Sequence, residues 1–268
     1  MFDIPMKTAG ALDLSALTAS SGGQAAAQPT QQFVQPQPAQ YQQPAPQVTP
    51  TQQYQQPMPQ QVNPAPQQIQ PIRQHPPGTG VHLKKGQKFA LAGANGAQLT
   101  NIEIGLGWDL KSQACDLDAS AFMLDTSNRV IGDDWFVFYG QTMSPDGSIR
   151  HSGDGDGSAV GDDETININL AAVDPRVQKI AFVITIDEAL AKGQNFSMVA
   201  NAYVRVVDKT TGSELARFNL TDYYANVTSM VVGELYRHNG AWKFNPVGDG
   251  VAKDLAGLCA MYGVNVAD

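Results

Sequence analysis

Cysteine is almost absent from this 268-residue chain: there are two, Cys115 and Cys259. Two thiols without CxxC spacing exclude a disulfide framework and a thiolate zinc site, and their scarcity fits a reducing compartment. Long apolar runs are missing too. No stretch approaches the roughly 18 apolar residues of a membrane span. The opening residues put Asp3 and Asp13 where a secretory signal needs a continuous apolar core. Basic residues are few, 17 Lys and Arg against 25 Asp and Glu, for a net charge of -8 and a pI near 4.9. Nucleic-acid backbones require clustered Lys and Arg, so the expected partners are cations or proteins rather than nucleic acid. The expected location is the cytoplasm, with any membrane association made through partners.

Charge of either sign is missing between Asp13 and Arg73, where Gln, Pro, Ala and Thr dominate. Gln40-Tyr41-Gln42-Gln43-Pro44 returns as Gln53-Tyr54-Gln55-Gln56-Pro57. Such a segment has too few large apolar groups to offset its ordering entropy, and its prolines break helices and sheets. Residues 1–80 are therefore expected to form a disordered Gln/Pro-rich tail. Ile4, Met6, Leu12, Leu14 and Leu17 mark a short docking motif within residues 1–20. In the tail Asp3 and Asp13 offset Lys7 and Arg73, so the net charge falls on residues 81–268.

From Val81 onward the apolar pattern has period two. Ile102, Ile104, Leu106 and Trp108 alternate with polar residues and glycine; so do Ile166, Ile168 and Leu170, then Ile180, Phe182, Ile184 and Ile186. Further runs cover 199–206 and 230–235. Asp146-Gly147, Thr211-Gly212 and Asn239-Gly240 supply turns, the last a strong hairpin signal because both turn residues must reach positive φ. Many short strands predict an all-β fold, a β-sandwich of antiparallel strands. A short C-terminal helix is predicted over 253–262, closed by Gly263.

The candidate chemistry is acidic. Asp109 ends Gly105-Leu106-Gly107-Trp108-Asp109, and Asp116 and Asp118 stand two apart on one strand face. Asp154, Asp156, Asp162, Asp163 and Glu164 crowd the glycine-rich stretch 151–164. At an effective dielectric of about 20, two charges ~4 Å apart repel by about 4 kcal/mol, a cost that a bound cation removes. An oxygen-only set selects a hard metal, and calcium, with six to eight flexible ligands, suits it better than magnesium or zinc. The stretch is not an EF-hand: counted from Asp154, the required glycine is Ala159 and the closing glutamate is Thr165. A solvated acidic surface loop is the alternative.

The chain resembles the TerD family. The matching stretches are Leu83-Lys84-Lys85-Gly86, Gly105 to Asp109, Asp116-Leu117-Asp118, Phe136-Val137-Phe138-Tyr139, Ser152-Gly153-Asp154, Gly161-Asp162-Asp163-Glu164, Asn201 to Arg205, Gly233 to Arg237 and Trp242-Lys243-Phe244. They cover residues 81–268 in the family's order. The resemblance implies a β-sandwich with one or two calcium ions between its loops, no established catalysis, and a place in a tellurite and stress-response system among unidentified partner proteins. Gly155 stands where the family carries Asn, and Ala159-Val160 replace a Gly-Asp. That departure bears on the second ion, with Asp156 as the substitute ligand.

Two other functions compete. A metal-dependent hydrolase or phosphoesterase would need a general base beside the acidic loop, and His151 is the nearby histidine. Capture of tellurium oxyanions by Cys115 and Cys259 would need reactive thiols in a domain whose charge repels oxyanions. Because the tail carries almost none of the core pattern, a chain beginning near Pro77 is expected to melt at about the temperature of the full chain. A large loss of stability in a thermal melt would refute that boundary.

Overall fold

The computed structural model describes residues 78–93, 96–111, 115–153, 161–222 and 224–266. Residues 1–77 of the tail expected to be disordered, its docking motif, Asp154 and Asp156 lie outside these residues, whereas Gly78 and Gly80, at the expected tail's end, lie against residues 214–217.

Among the described residues twelve strands are formed: β1 (Val81–His82), β2 (Phe89–Ala90), β3 (Asn101–Leu110), β4 (Leu117–Leu124), β5 (Phe136–Val137), β6 (Ile149–His151), β7 (Glu164–Asn169), β8 (Lys179–Ile186), β9 (Val199–Asp208), β10 (Ser213–Asn219), β11 (Ser229–His238) and β12 (Ala241–Val251). Among the described residues two α-helices join them, α1 (Ala189–Lys192) and α2 (Leu255–Tyr262), with short 3-10 turns at Asp133–Trp135 and Phe196–Met198. The first sheet has the order β1-β10-β9-β3-β7-β6 and the second β2-β12-β11-β8-β4-β5. Pairing is antiparallel except that β1 lies parallel to β10. The expected antiparallel sandwich therefore forms, with one parallel edge strand.

The core lies between the sheets, where alternation puts every second residue. Ile102, Ile104 and Leu106 of β3, with Ile166 and Ile168 of β7, face Ile180, Phe182 and Ile184 of β8 and Met230, Val232 and Leu235 of β11 in one buried cluster. A second cluster forms on the outer face of the second sheet, where Phe122, Leu124 and Val231 meet Leu258 and Cys259 of α2. Asp254 caps α2, its side chain accepting from Gly257 N, and Gly263 closes it at φ 85°. Asn239 and Gly240 turn β11 into β12 with φ of 51° and 77°, and His238 pairs with Ala241. Both thiols are buried. Cys115 precedes β4 rather than lying in a strand, and burial raises its pKa; burial pushes Cys259 up to about 12.

The two tryptophans differ. Trp242 is 6% exposed, and its indole N–H donates to Leu170 O at 3.3 Å. Trp108 continues the inner face of β3 only partly and stays half-buried. The cause is a bulge: Gly107 pairs with Tyr203 but Asp109 with Ala200, so β9 spends one extra residue opposite Trp108. Asn201, in that bulge, takes φ 50°. Trp242→Ala is expected to cost about 3–5 kcal/mol in urea unfolding, and Trp108→Ala about half as much. Equal losses would mean that Trp108 is packed as deeply as Trp242.

Candidate metal centre at the acidic loop

The acidic run is laid across β3. Asp163 N donates to Leu106 O at 2.8 Å, and the Asp163 carboxylate accepts from Trp108 N at 2.7 Å. Asp162 is held by Arg205 of β9 through a forked contact, Nε at 2.8 and 3.0 Å and a terminal nitrogen at 2.8 Å. The Tyr203 hydroxyl lies 2.8 Å from both Asp162 Oδ1 and Gly161 O. Burial and the neighbouring Asp162 charge raise the Tyr203 pKa, so the phenol keeps its proton to donate. Arg205 also meets Glu214, which binds Arg217, and Arg217 sits 4.0 Å over the Tyr203 ring. The result is an alternating-charge ladder on the outer face of the first sheet.

Two glycines make that ladder possible. A Cβ on Gly105 would fall 2.0–2.7 Å from the Asp162 carboxylate, and one on Gly107 2.4 Å from the Tyr203 ring. Neither position can carry a side chain while the run stays in place.

Glu164 points the other way, into the gap between the sheets. Its Oε2 accepts from Ala119 N at 2.8 Å and lies 3.1 Å from His151 Nε2, which is 3.0 Å from Ala119 O. The open edge of β4, beyond the short β5, is thus closed by two side chains of the other sheet. Gly153 N donates to His151 Nδ1 at 2.9 Å, which places the ring proton on Nε2. His151 is 3% exposed with both nitrogens engaged, so it is not placed to act as a hydrolytic base on a substrate.

The remaining candidates are spread. Asp109 is buried and accepts from Asn201 Nδ2 at 2.7 Å. Asp116 is exposed before β4, its carbonyl accepting from Asp187 N. Asp118 is half-buried in β4, out of step with the inward Leu117 and Ala119, and so on the outer face of the second sheet. Among the described residues no group of three or more His, Cys, Asp or Glu side chains is arranged to hold a metal. The repulsion that sequence alone assigns to a cation is met within 161–164 by Arg205, Tyr203 and backbone N–H groups. Asp109 lies in β3 and Asp163 beside it, and each carboxylate accepts from one N–H donor, Asn201 Nδ2 and Trp108 N. The partners Arg205, Tyr203 and Asn201 lie in the Asn201-to-Arg205 stretch but carried no signal of their role.

Comparison with known proteins follows this geometry. The TerD domain matches residues 79–262. The chain is 46% identical over 191 residues to tellurium resistance protein TerD of Serratia marcescens, covering 70% of this chain and 99% of the relative. It is 42% identical over 191 residues to general stress protein 16U of Bacillus subtilis, covering 69% and 98%. Among solved structures, a homologue of telluride resistance protein from Streptomyces coelicolor is similar at TM-score 0.47 and 22% identity, covering 63% of this chain and 99% of that one. Matched through most of its length and at high identity, the chain belongs to the TerD family.

Proposed function

We propose that this domain is a calcium-binding, non-catalytic module of a tellurite-resistance or general stress response, working in the cytoplasm as a scaffold for partner proteins. The stress and resistance role rests on the relatives' names. No helix among the described residues is long and apolar enough to cross a membrane.

The calcium reading rests on one observation: both ends of the acidic loop are pinned. Gly153 is held by His151 at one end, and Gly161 and Asp162 by Tyr203 and Arg205 at the other. Between those two held ends the sequence supplies Asp154 and Asp156, and Asp163 follows the second end, so the carboxylates form an oxygen-only set of the kind calcium takes. In this reading Asp162 and Glu164 hold the loop rather than the ion. Asp116 and Asp118 would complete the ligand set from β4 and the residues before it.

Calcium binding only the folded state raises stability by about 2.7 kcal/mol at one hundred times Kd, and magnesium is expected to do less. Asp163→Asn keeps an oxygen for Trp108 N–H, so it should be near neutral in EDTA yet weaken the calcium shift. Asp118→Asn is expected to behave the same way. Asp162→Asn should cost about 2 kcal/mol with or without calcium, because it loosens the Arg205 fork. Thermal melts of the four proteins in EDTA and in millimolar calcium measure this, and an unmoved wild type would end the calcium reading.

A further inference from the structure

The outer face of the second sheet is divided. α2 covers the part around Phe122, Leu124 and Val231. The end away from Asp116 and Asp118 carries a row of cross-strand neighbours, Lys179 of β8, Tyr236 of β11 and Lys243 of β12. All three lie out of step with the inward Ile180, Leu235, Trp242 and Phe244. Lys88, before β2, sits with Nζ 5.2 Å from the Tyr236 ring centre, and the His238 ring stands edge-on to it at 6.3 Å. Lys88 and His238 are exposed, and Tyr236 and Lys243 half-buried.

The charge here runs against the rest of the chain. Lys85, Lys192 and Lys209 each meet a carboxylate. Among the described residues Lys88 and Lys243 make no ion pair. Lys179 shares Glu234, at 3.1 Å, with the amide of Asn245. Three lysines therefore surround one tyrosine against a single carboxylate at that contact, in a chain of net charge -8.

We propose that this end of the second sheet docks a short acidic segment of a partner protein. Lysine ammonium groups are compact point charges with rotatable donors, suited to carboxylates spaced along a peptide. Tyr236 adds an apolar ring and a hydroxyl of the kind that anchors interfaces. An extended polyanion suits the patch less. Screening acts over about 8 Å at physiological ionic strength, so a long nucleic acid or an anionic bilayer would also meet the acidic remainder of the domain. A short segment confined to the patch avoids that repulsion.

The test uses the full chain, isotopically labelled, and a peptide of eight glutamates as probe. Amide shifts are expected at Lys88, Lys179, Tyr236, His238 and Lys243, fading as salt rises. The double variant Lys88→Gln/Lys243→Gln, its melting temperature checked against wild type, should bind the peptide about tenfold more weakly. Shifts that map elsewhere, or affinity unchanged in a folded double variant, would overturn the proposal. So would tighter binding of oligothymidylate or of phosphatidylglycerol vesicles at the same residues. A calcium titration that fails leaves this result untouched, since none of these residues belongs to the acidic loop.

Discussion

The Glu164 carboxylate ties the two sheets at a point where no backbone ladder joins them. β7 belongs to the first sheet and β4 to the second, yet Ala119 N finds its acceptor in Glu164 and Ala119 O its donor in His151. A buried N–H left without an acceptor costs about 1–3 kcal/mol, and β5 is too short to supply one. The position of β7 is therefore fixed against β4, and the three residues before Glu164 must start from that fixed point. Asp162 then falls on the outer face of β3, where Arg205 receives it, and Asp163 accepts from the backbone Trp108 N.

That arrangement needs space as much as charge. β3 is a central strand, flanked by β7 and β9, and its outer face would normally present side chains at every second position. Gly105 and Gly107 leave two gaps there, filled by the Asp162 carboxylate and the Tyr203 ring. The bulge in β9 then brings Asn201 onto Asp109. The charged groups on this face answer one another in sequence, so the domain carries its acidity without a matching surplus of exposed repulsion at this point.

Much of the fold was legible because it is periodic. Ile102, Ile104 and Leu106 announce a strand with one face in the core, Asn239-Gly240 a tight hairpin, and Gly263 the end of a helix. β4 was legible only at its start, through the spacing of Asp116 and Asp118; from Ala119 to Leu124 it is covered on both faces, by the core and by α2, so the alternation disappears. β1 and β2 are two residues each, too short for any period. The candidate site was legible as a count of carboxylates and no further. What decides the role of each is a partner far along the chain, Arg205 for Asp162 and His151 with Ala119 for Glu164, and local spacing carries no trace of such partners. Gly105 to Asp109 belongs with the acidic chemistry on sequence alone, whereas in the fold its glycines act by having no side chain.

The strand order also governs how the molecule can come into being on the ribosome. β1 waits for β10, β2 for β12, and β3 for both β7 and β9. Contacts such as Lys85 to Gly248 and Gln98 to Gly240 close loops of 163 and 142 residues. Early strands thus leave the exit tunnel with no partner to pair with, and the last hairpin, β11 with β12, supplies a central part of the second sheet. Such long closures make folding slow and leave apolar strands exposed meanwhile. During synthesis the apolar faces of the early strands therefore stay without their sheet partners until the final strands emerge.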